Sequence, residues 1–390
     1  MPRTMNFEAK YKARDVEPFD QKNEMFKRVR WEPELKQLAR SYYGVTTPED
    51  KPGYRLEDIA FRNATWYLEM GFARGVIESN FGLYSWEDKL YQMTAQPMDP
   101  PFDSETPQYN SRMVKKAARL FGADMVGICR LDRRWIYSKG FELVKRVEYE
   151  NHIPDEYQYV INIAVAMDYE YYKYTPTFIG GAGTGLGYSK MAFTAGLLGQ
   201  FLNQLGYKSI PTGNDTALSI PLAIQAGLGE LGRSGLLITP RFGSRVRLCK
   251  VFTNMPLVPD EPVEFGVTTF CEACAKCADH CPGQAIPHGT RTTEPLNISN
   301  ARGGAFKWYV NHEKCFRFWA KNTCDCGNCI RVCPFNKPDG RLHDASRWVI
   351  ERVPGFNRLF VKADDLFGYG QQEDVGSFWD REDRTSSQGD

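Results

Sequence analysis

Apolar positions in the middle of the chain switch between two periods, and the switches mark out an alternating α/β unit. From Ser111 to Phe121 the residues Met113, Val114, Ala117, Ala118 and Phe121 fall on one face at helical spacing. Ser111 is placed to cap that helix. Gly122 is placed to end it, since glycine readily takes the left-handed conformation used just past a helix. Residues 123–131, ADMVGICRL, then read as a buried strand, and residues 159–167, YVINIAVAM, as a second. Between them, residues 132–157 are charged and aromatic and read as an insertion. Residues 180–190, GGAGTGLGYSK, read as a glycine-rich loop. A helix follows it, with Met191, Ala195, Leu198, Leu202 and Leu205 at spacings of four and three, ending at Gly206. Pro221 suits the first turn of a short helix that ends near Gly227. Residues 236–240 and 246–252 are the next strands.

The flanks are patterned differently. Residues 1–54 are polar and proline-bearing, and predict an extended wrapping segment with short helices. Residues 55–75 carry apolar side chains at helical spacing and predict a buried helix. Residues 94–110 are a proline-bearing linker that marks a boundary. Residues 341–368 mix helix and loop, and residues 370–390 are polar enough to form a surface tail. The chain shows no internal repeat beyond two cysteine runs.

Two glycine motifs invite a phosphate-binding reading. Gly227, Gly229 and Gly232 spell G-x-G-x-x-G, but a dinucleotide fingerprint must follow a strand and open a helix. This one follows a helix and precedes a strand, so it predicts a tight reversal. The 180–187 glycines lack the G-K-[ST] ending of a phosphate loop. They permit either a turn or close backbone approach to a large flat group.

With 390 residues the chain can bury a full core. Its 42% hydrophobic and 25% charged content is that of a globular protein. A formal net charge of +1 gives no nucleic-acid or polybasic membrane footprint. No apolar run approaches the ~18 residues needed to span a bilayer, and the N-terminal stretch lacks the apolar segment of an export signal.

The cysteines carry the chemistry. Of eleven, four lie in CEACAKCADHCP as Cys271, Cys274, Cys277 and Cys281 before Pro282. Four more lie in CDCGNCIRVCP as Cys324, Cys326, Cys329 and Cys333 before Pro334, with Cys315 upstream. The first run is C-x2-C-x2-C-x3-C-P, the bacterial ferredoxin spacing, whose fourth cysteine serves the other cluster of a pair. The spacing predicts one four-iron cluster on Cys271, Cys274, Cys277 and Cys333. The second takes Cys281, Cys326, Cys329 and one upstream cysteine. We assign Cys315 there, because Cys324 lies too close to Cys326 for comfortable chelation. Zinc ribbons use two C-x2-C pairs across a long gap rather than a threefold run, and a disulfide framework does not suit a chain of this size. Cys129 and Cys249 sit in apolar strands and read as small core residues.

The block from Gly213-Asn214-Asp215-Thr216 through Asn254, followed by Cys271–Pro282, Cys315 and Cys326–Pro334 in that order, resembles the cobalamin-dependent reductive dehalogenases. The unit 111–131 also fits, so the resemblance covers roughly residues 110–340. It implies an α+β fold: a nitroreductase-like α/β core that holds base-off cobalamin, and a ferredoxin-like unit with two [4Fe-4S] clusters. The corresponding domains are an N-terminal wrapping unit (1–108), the catalytic core (109–265, with the insertion at 132–157), the ferredoxin-like unit (266–340) and a C-terminal segment (341–390). The family's acid–base residues match Tyr188, Asn214 and Arg247, and Gly187 and Ser189 beside Tyr188 fall where the corrin would be contacted. None of the five histidines, His152, His280, His288, His312 and His343, forms a ligand-like pair, and no D-x-H-x-x-G stretch is present to ligate cobalt.

The implied reaction is R–X + 2e⁻ + H⁺ → R–H + X⁻ on a small organohalide, as in anaerobic organohalide respiration. A phenol with pKa near ~10 is protonated at neutral pH and can donate, and a guanidinium beside it stabilises the phenolate left behind. Implied partners are a low-potential electron donor and a small membrane-anchor protein. The implied location is the outer face of the cell membrane if an export signal has been removed, or the cytoplasm otherwise. Two alternatives stand beside this reading. An epoxyqueuosine reductase-like enzyme would use the same cofactors on tRNA, but needs a basic surface that a neutral chain lacks. A two-cluster electron-transfer subunit would leave the α/β core unexplained.

Overall fold

The polar N-terminal segment gathers Met25, Val29, Leu35 and Ala39 around Phe316 and is otherwise held by what it wraps. The computed structural model describes residues 3–44, 46–73, 82–86, 101–103, 106–143, 145–300 and 304–381. In it, β1 (Arg3–Thr4) is followed by α1 (Phe7–Tyr11), α2 (Met25–Trp31) and α3 (Lys36–Tyr43). Phe7 and Tyr11 enter a core shared with Trp135 and Val160, and β1 pairs antiparallel with Val263–Glu264. These are the short helices on an extended wrap that the composition implies.

The stretch 55–75 departs from expectation. It forms two helices, α4 (Leu56–Thr65) and α5 (Tyr67–Phe72), broken at Trp66. Leu56, Tyr67, Met70 and Phe72 are exposed, whereas Ile59 is buried. Helical spacing counted these side chains as one buried stripe, but the break at Trp66 turns α5 so that none of its residues is buried. Positions 74 and 75 lie outside the described residues.

Helix α6 (Pro107–Leu120) starts a turn earlier than expected. Thr106 accepts a hydrogen bond from the Tyr109 N–H, and proline at the first helical position extends the start. Ser111 is therefore inside the helix, where its hydroxyl donates to Pro107 O and accepts from Val258 N. Most of the expected linker lies outside the described residues, and its end, 107–110, is helical.

Next comes β2 (Met125–Arg130), then the hairpin β3 (Gly140–Glu142) and β4 (Val147–Tyr149) within the insertion, then β5 (Tyr159–Ala166). They are followed by α7 (Tyr169–Tyr172), α8 (Phe178–Gln204), β6 (Ser209–Thr212), α9 (Ser219–Gln225), β7 (Glu230–Leu231), β8 (Leu237–Ile238), β9 (Val246–Thr253) and β10 (Val263–Glu264). The main sheet has the order β2-β5-β9-β6, and each of its pairings is antiparallel. Period-2 alternation builds its two faces. Ile161, Ile163, Val165, Cys249 and Val251 pack against Val114 and Ala118 of α6 and Leu198 and Leu202 of α8. Val160, Ala164, Cys129 and Phe252 pack the other way, against Leu222 of α9, Trp135 of the insertion and Phe7.

Helix α8 corrects the glycine-rich loop. It runs unbroken through residues 180–190, with Thr177 accepting from Gly180 N at its start. Glycine is a poor helix former, but packing overrides propensity. A Cβ on Gly185 would lie 2.4 Å from atoms of Thr65 and Trp66, and one on Gly187 would lie 2.9 Å from Met167 and 3.0 Å from Arg247. The glycines are the face on which neighbouring elements close. The G-x-G-x-x-G motif is the reversal expected: Gly227 has φ +74° past α9, and Gly232 N bonds Leu236 O at 2.9 Å in the β7–β8 turn.

The chain ends in α10 (Val267–Ala273), α11 (Lys276–Asp279), α12 (His312–Asn322), α13 (Asn328–Arg331), α14 (Arg341–Arg352) and α15 (Asn357–Leu366). The polar tail is not loose over its described part. Phe378 packs on Tyr174 with ring centroids 5.0 Å apart, and Trp379 Nε1 donates to the buried Asp58 at 2.9 Å. Two aromatic residues among polar neighbours are enough to fasten it.

One glycine fixes how α9 sits on the sheet. A Cβ on Gly127 of β2 would lie 2.1 Å from the Ala226 carbonyl oxygen. Because that neighbour is backbone, Gly127→Ala is expected to destabilise the fold by about 1–3 kcal/mol, read as a lowered denaturant midpoint under anaerobic conditions.

Candidate active site and cluster sites

The eight cysteines expected to bind iron separate into two groups. Cys271, Cys274, Cys277 and Cys333 line one cavity between α10, α11 and the β7–β8 turn. Cys281, Cys315 and Cys329 share a second apolar surround with Cys277, and Cys326 lies within electrostatic reach of Cys281, Cys315 and Cys329. Cys324 belongs to neither. It is fully buried against Tyr54, Ile59 and Phe178.

Burial pushes the Cys274 and Cys315 thiols up to about 12 and Cys329 well above the usual thiol range, with neighbouring cysteines adding to each shift. Left to themselves these groups would be neutral. Iron charge is what stabilises four crowded thiolates in such a surround. A single zinc ion would draw its sulfurs to about 2.3 Å from one point. Here Cys271, Cys274, Cys277 and Cys333 frame a cavity. Residues that spacing did not flag support the first group. Ile350, Phe360 and Val361 of the C-terminal helices pack beside Cys271, Cys274 and Cys333.

Arg233, in the β7–β8 turn, is the most telling addition. Its guanidinium donates to the carbonyls of Cys271 (2.7 Å), Cys274 (3.2 Å), Pro287 (2.8 Å) and Gly289 (2.9 Å) and stacks on Trp308. It clamps the loop that carries Cys271, Cys274 and Cys277. Arg233→Leu strands those carbonyls, at about 1–3 kcal/mol each when buried. We expect iron content to fall from about eight to about four atoms per chain, measured by iron analysis after reconstitution.

Tyr188 on α8, Asn214 in the turn after β6, and Arg247 on β9 meet. Asn214 Nδ2 donates to the Tyr188 hydroxyl at 2.9 Å, and the Arg247 guanidinium lies 4.8 Å from the Tyr188 ring centre. The Trp66 ring stacks on Tyr188 at 4.7 Å and 25°, which Gly185 permits by leaving room for the indole. Among the described residues Arg247 has no carboxylate within ion-pair distance. Its nitrogens reach Met167 Sδ (3.1 Å), the Tyr172 hydroxyl (3.3 Å) and Thr184 Oγ1 (3.5 Å). Burial raises the Tyr172 pKa and Arg247 lowers it in part. Tyr172 also packs with Ile330 and Cys329, so it joins the trio to the second cysteine group. Sequence spacing did not single out Trp66, Tyr172 or Thr184. The contacts depend on how helices cross, and no local pattern records that.

Gly187 and Ser189 are taken up by protein. Gly187 lies close to Met167 and Arg247. The Ser189 hydroxyl donates to Thr65 O at 2.6 Å and accepts from Glu69 N at 3.3 Å. Unpartnered polar atoms are found on other side chains. Among the described residues, Arg62 Nε, Trp66 Nε1, Trp319 Nε1, Asp325 Oδ2, Asn328 Oδ1 and Arg331 Nε are buried without a hydrogen-bond partner. Trp66 stacks on Tyr188, and Asp325 and Asn328 flank Cys326 and Cys329 in sequence. The set mixes donors and acceptors. That mixture fits a corrin, whose peripheral amides both donate and accept.

A tyrosine hydroxyl bonded to an asparagine amide lies beside a guanidinium and a unit with two groups of cysteines. The comparisons with known proteins make the class specific. Residues 270–336 match the family described as a 4Fe-4S double cluster binding domain. Over 379 residues the chain is 34% identical to the tetrachloroethene reductive dehalogenase of Sulfurospirillum multivorans, covering 90% of this chain and 75% of that protein. It is 38% identical over 328 residues to the enzyme of the same name from Dehalobacter restrictus, covering 74% of this chain and 59% of that protein. A solved B12-dependent reductive dehalogenase shares the fold with a TM-score of 0.70 at 21% identity, covering 95% of this chain and 48% of that one. The chain belongs to the reductive dehalogenase family. The likeness to an epoxyqueuosine reductase from Lactococcus garvieae extends over only 31% of the chain.

Proposed function

We propose that this chain replaces the halogen of a small organohalide with hydrogen, R–X + 2e⁻ + H⁺ → R–H + X⁻. The observation that carries the reading is the contact of Tyr188 with Asn214 and Arg247 beside two cysteine quartets, in a chain of this family. We assign one four-iron cluster to Cys271, Cys274, Cys277 and Cys333, and the other to Cys281, Cys315, Cys326 and Cys329. Arg62, Trp66, Asp325 and Asn328 would hold the corrin through their free polar atoms. When bound, the corrin supplies the centre at which the carbon–halogen bond breaks, and the clusters supply electrons singly at low potential.

The chain's own residues manage the proton. Tyr188 donates its hydroxyl proton to the carbon that has lost halide. The phenolate that forms keeps the Asn214 N–H bond, which becomes charge-assisted and stronger. Arg247 faces it, with no carboxylate at ion-pair distance among the described residues, an attraction on the order of 3 kcal/mol at an effective dielectric of about 20. Trp66 covers one face of the ring.

The test is anaerobic reconstitution with iron, sulfide and a corrinoid, then a screen of chlorinated and brominated ethenes and arenes for halide release. Corrin binding with no halide release from any of them would send the reading to the epoxide-reducing alternative. The remaining partners in the proposal are a low-potential electron donor and a small membrane-anchor protein that keeps the enzyme at the outer face of the membrane. Among the described residues no helix is long and apolar enough to cross a membrane. Recovery of the native protein wholly in the cytoplasmic fraction would overturn that placement.

A further inference from the structure

Thr216 has a φ of +73°. That is a left-handed conformation in which a β-branched residue is strained. It closes the turn Gly213–Thr216, which presents Asn214 to Tyr188. Strain of this kind persists only where surrounding groups over-determine it, and here they come from three separate parts of the chain. The insertion supplies Tyr137, whose hydroxyl donates to Asn214 O at 3.1 Å and whose N–H donates to Thr216 O at 3.0 Å, and Asn151, which donates to Thr216 O at 2.8 Å. The N-terminal wrap supplies Gln21, donating to the Asp215 carboxylate at 2.9 Å, and Lys27, 3.7 Å from it. The central strand β9 supplies Lys250, whose ammonium donates to Gly213 O at 2.6 Å and Ser219 Oγ at 3.0 Å.

Lys250 is the unusual member. It is 0% exposed and, among the described residues, pairs with no carboxylate at ion-pair distance. An ammonium buried among neutral acceptors is expensive, and an apolar side chain would serve packing better. Desolvation pushes it down to about 8, with Asp215 pulling the other way. The position therefore answers to something other than core stability.

We infer that Lys250 is a positioning residue that holds the strained Gly213–Thr216 turn in the conformation aiming the Asn214 amide at the Tyr188 hydroxyl. The inference rests on the proton-donating role proposed for Tyr188 and Asn214. It explains why the insertion and the N-terminal wrap converge on this turn: they complete a mould of which Lys250 is the base.

The test uses the reconstituted holoenzyme. Lys250→Met should keep its iron content and corrin spectrum. Its kcat should fall about ten-fold, with KM little changed, because the lost alignment matters in the transition state. In an Asn214→Ala background the same substitution should have little further effect. Thr216→Gly, which removes the strain the clamp opposes, should recover most of the loss. A lysine that merely supported the core would lower activity equally in both backgrounds and would not respond to Thr216→Gly, and that result overturns the inference. If Asn214→Ala is itself harmless, the reading of the site fails and not only this refinement. Should Lys250→Met not fold, Lys250→Gln keeps a donor of shorter reach and is subject to the same readouts.

Discussion

Tyr188→Phe is expected to lower turnover by about 10²–10⁴-fold, the usual loss on removing a general acid, with iron content and corrin spectrum unchanged. The substitution keeps the ring, so stacking on Trp66 and the cation contact with Arg247 survive. What disappears is the proton and the acceptor of the Asn214 hydrogen bond. Arg247→Leu should act in the same direction, and the double variant should be less impaired than the product of the two losses, because guanidinium and phenol work as one unit. Steady-state halide release at saturating substrate is the measurement. The structure also names the group to suspect if Tyr188→Phe stays near normal. Tyr172 carries a second phenol within 3.3 Å of Arg247, hydrogen-bonded to Thr184 at 2.7 Å, and Tyr172→Phe would then be the damaging change.

The parts of this molecule legible in the sequence are those with a short-range record. The strands at 125–130, 159–166 and 246–253 announce themselves because most residues buried on both faces are apolar, with Arg247 and Lys250 among the exceptions. The double-cluster unit announces itself because a loop that wraps an iron–sulfur cube needs fixed gaps. Helix α8 shows where that record fails. Its glycines lower local helix preference, so the stretch reads as a loop, yet they are present because Trp66, Met167 and Arg247 approach too closely for any side chain. The trio of Tyr188, Asn214 and Arg247 is intermediate. Nothing near Tyr188 in sequence distinguishes it from the other tyrosines, and only family resemblance selects it. Asn214 and Arg247 reach it from different elements, across an antiparallel sheet whose strand order skips along the chain. Arg233 and Lys250 were invisible for the same reason. Each works through the backbone carbonyls of a distant segment, and a carbonyl leaves no trace in residue identity.

Cys315→Ser and Cys324→Ser separate the two upstream candidates for the second cluster. Cys315 sits on α12 in the surround shared with Cys281 and Cys329. Cys324, although only two residues from Cys326, is fully buried with Tyr54, Ile59 and Phe178 on the side facing α4 and α8. A ligand must bring its sulfur to the same centre as its partners, and a thiol committed to an apolar cluster elsewhere cannot do so without unpacking it. Cys315→Ser should therefore leave about four irons per chain in place of about eight. Halide release should disappear with the lost cluster, because the second group adjoins Tyr172 and hence the trio. Cys324→Ser should keep both clusters. Its effect should be confined to stability, about 1–3 kcal/mol for a hydroxyl buried among apolar groups with no partner assured. Iron and sulfide analysis, with electron paramagnetic resonance of the reduced protein, reads both outcomes. Loss of a cluster in Cys324→Ser with retention in Cys315→Ser would reverse the ligand assignment and require the 323–327 loop to turn inward when iron binds.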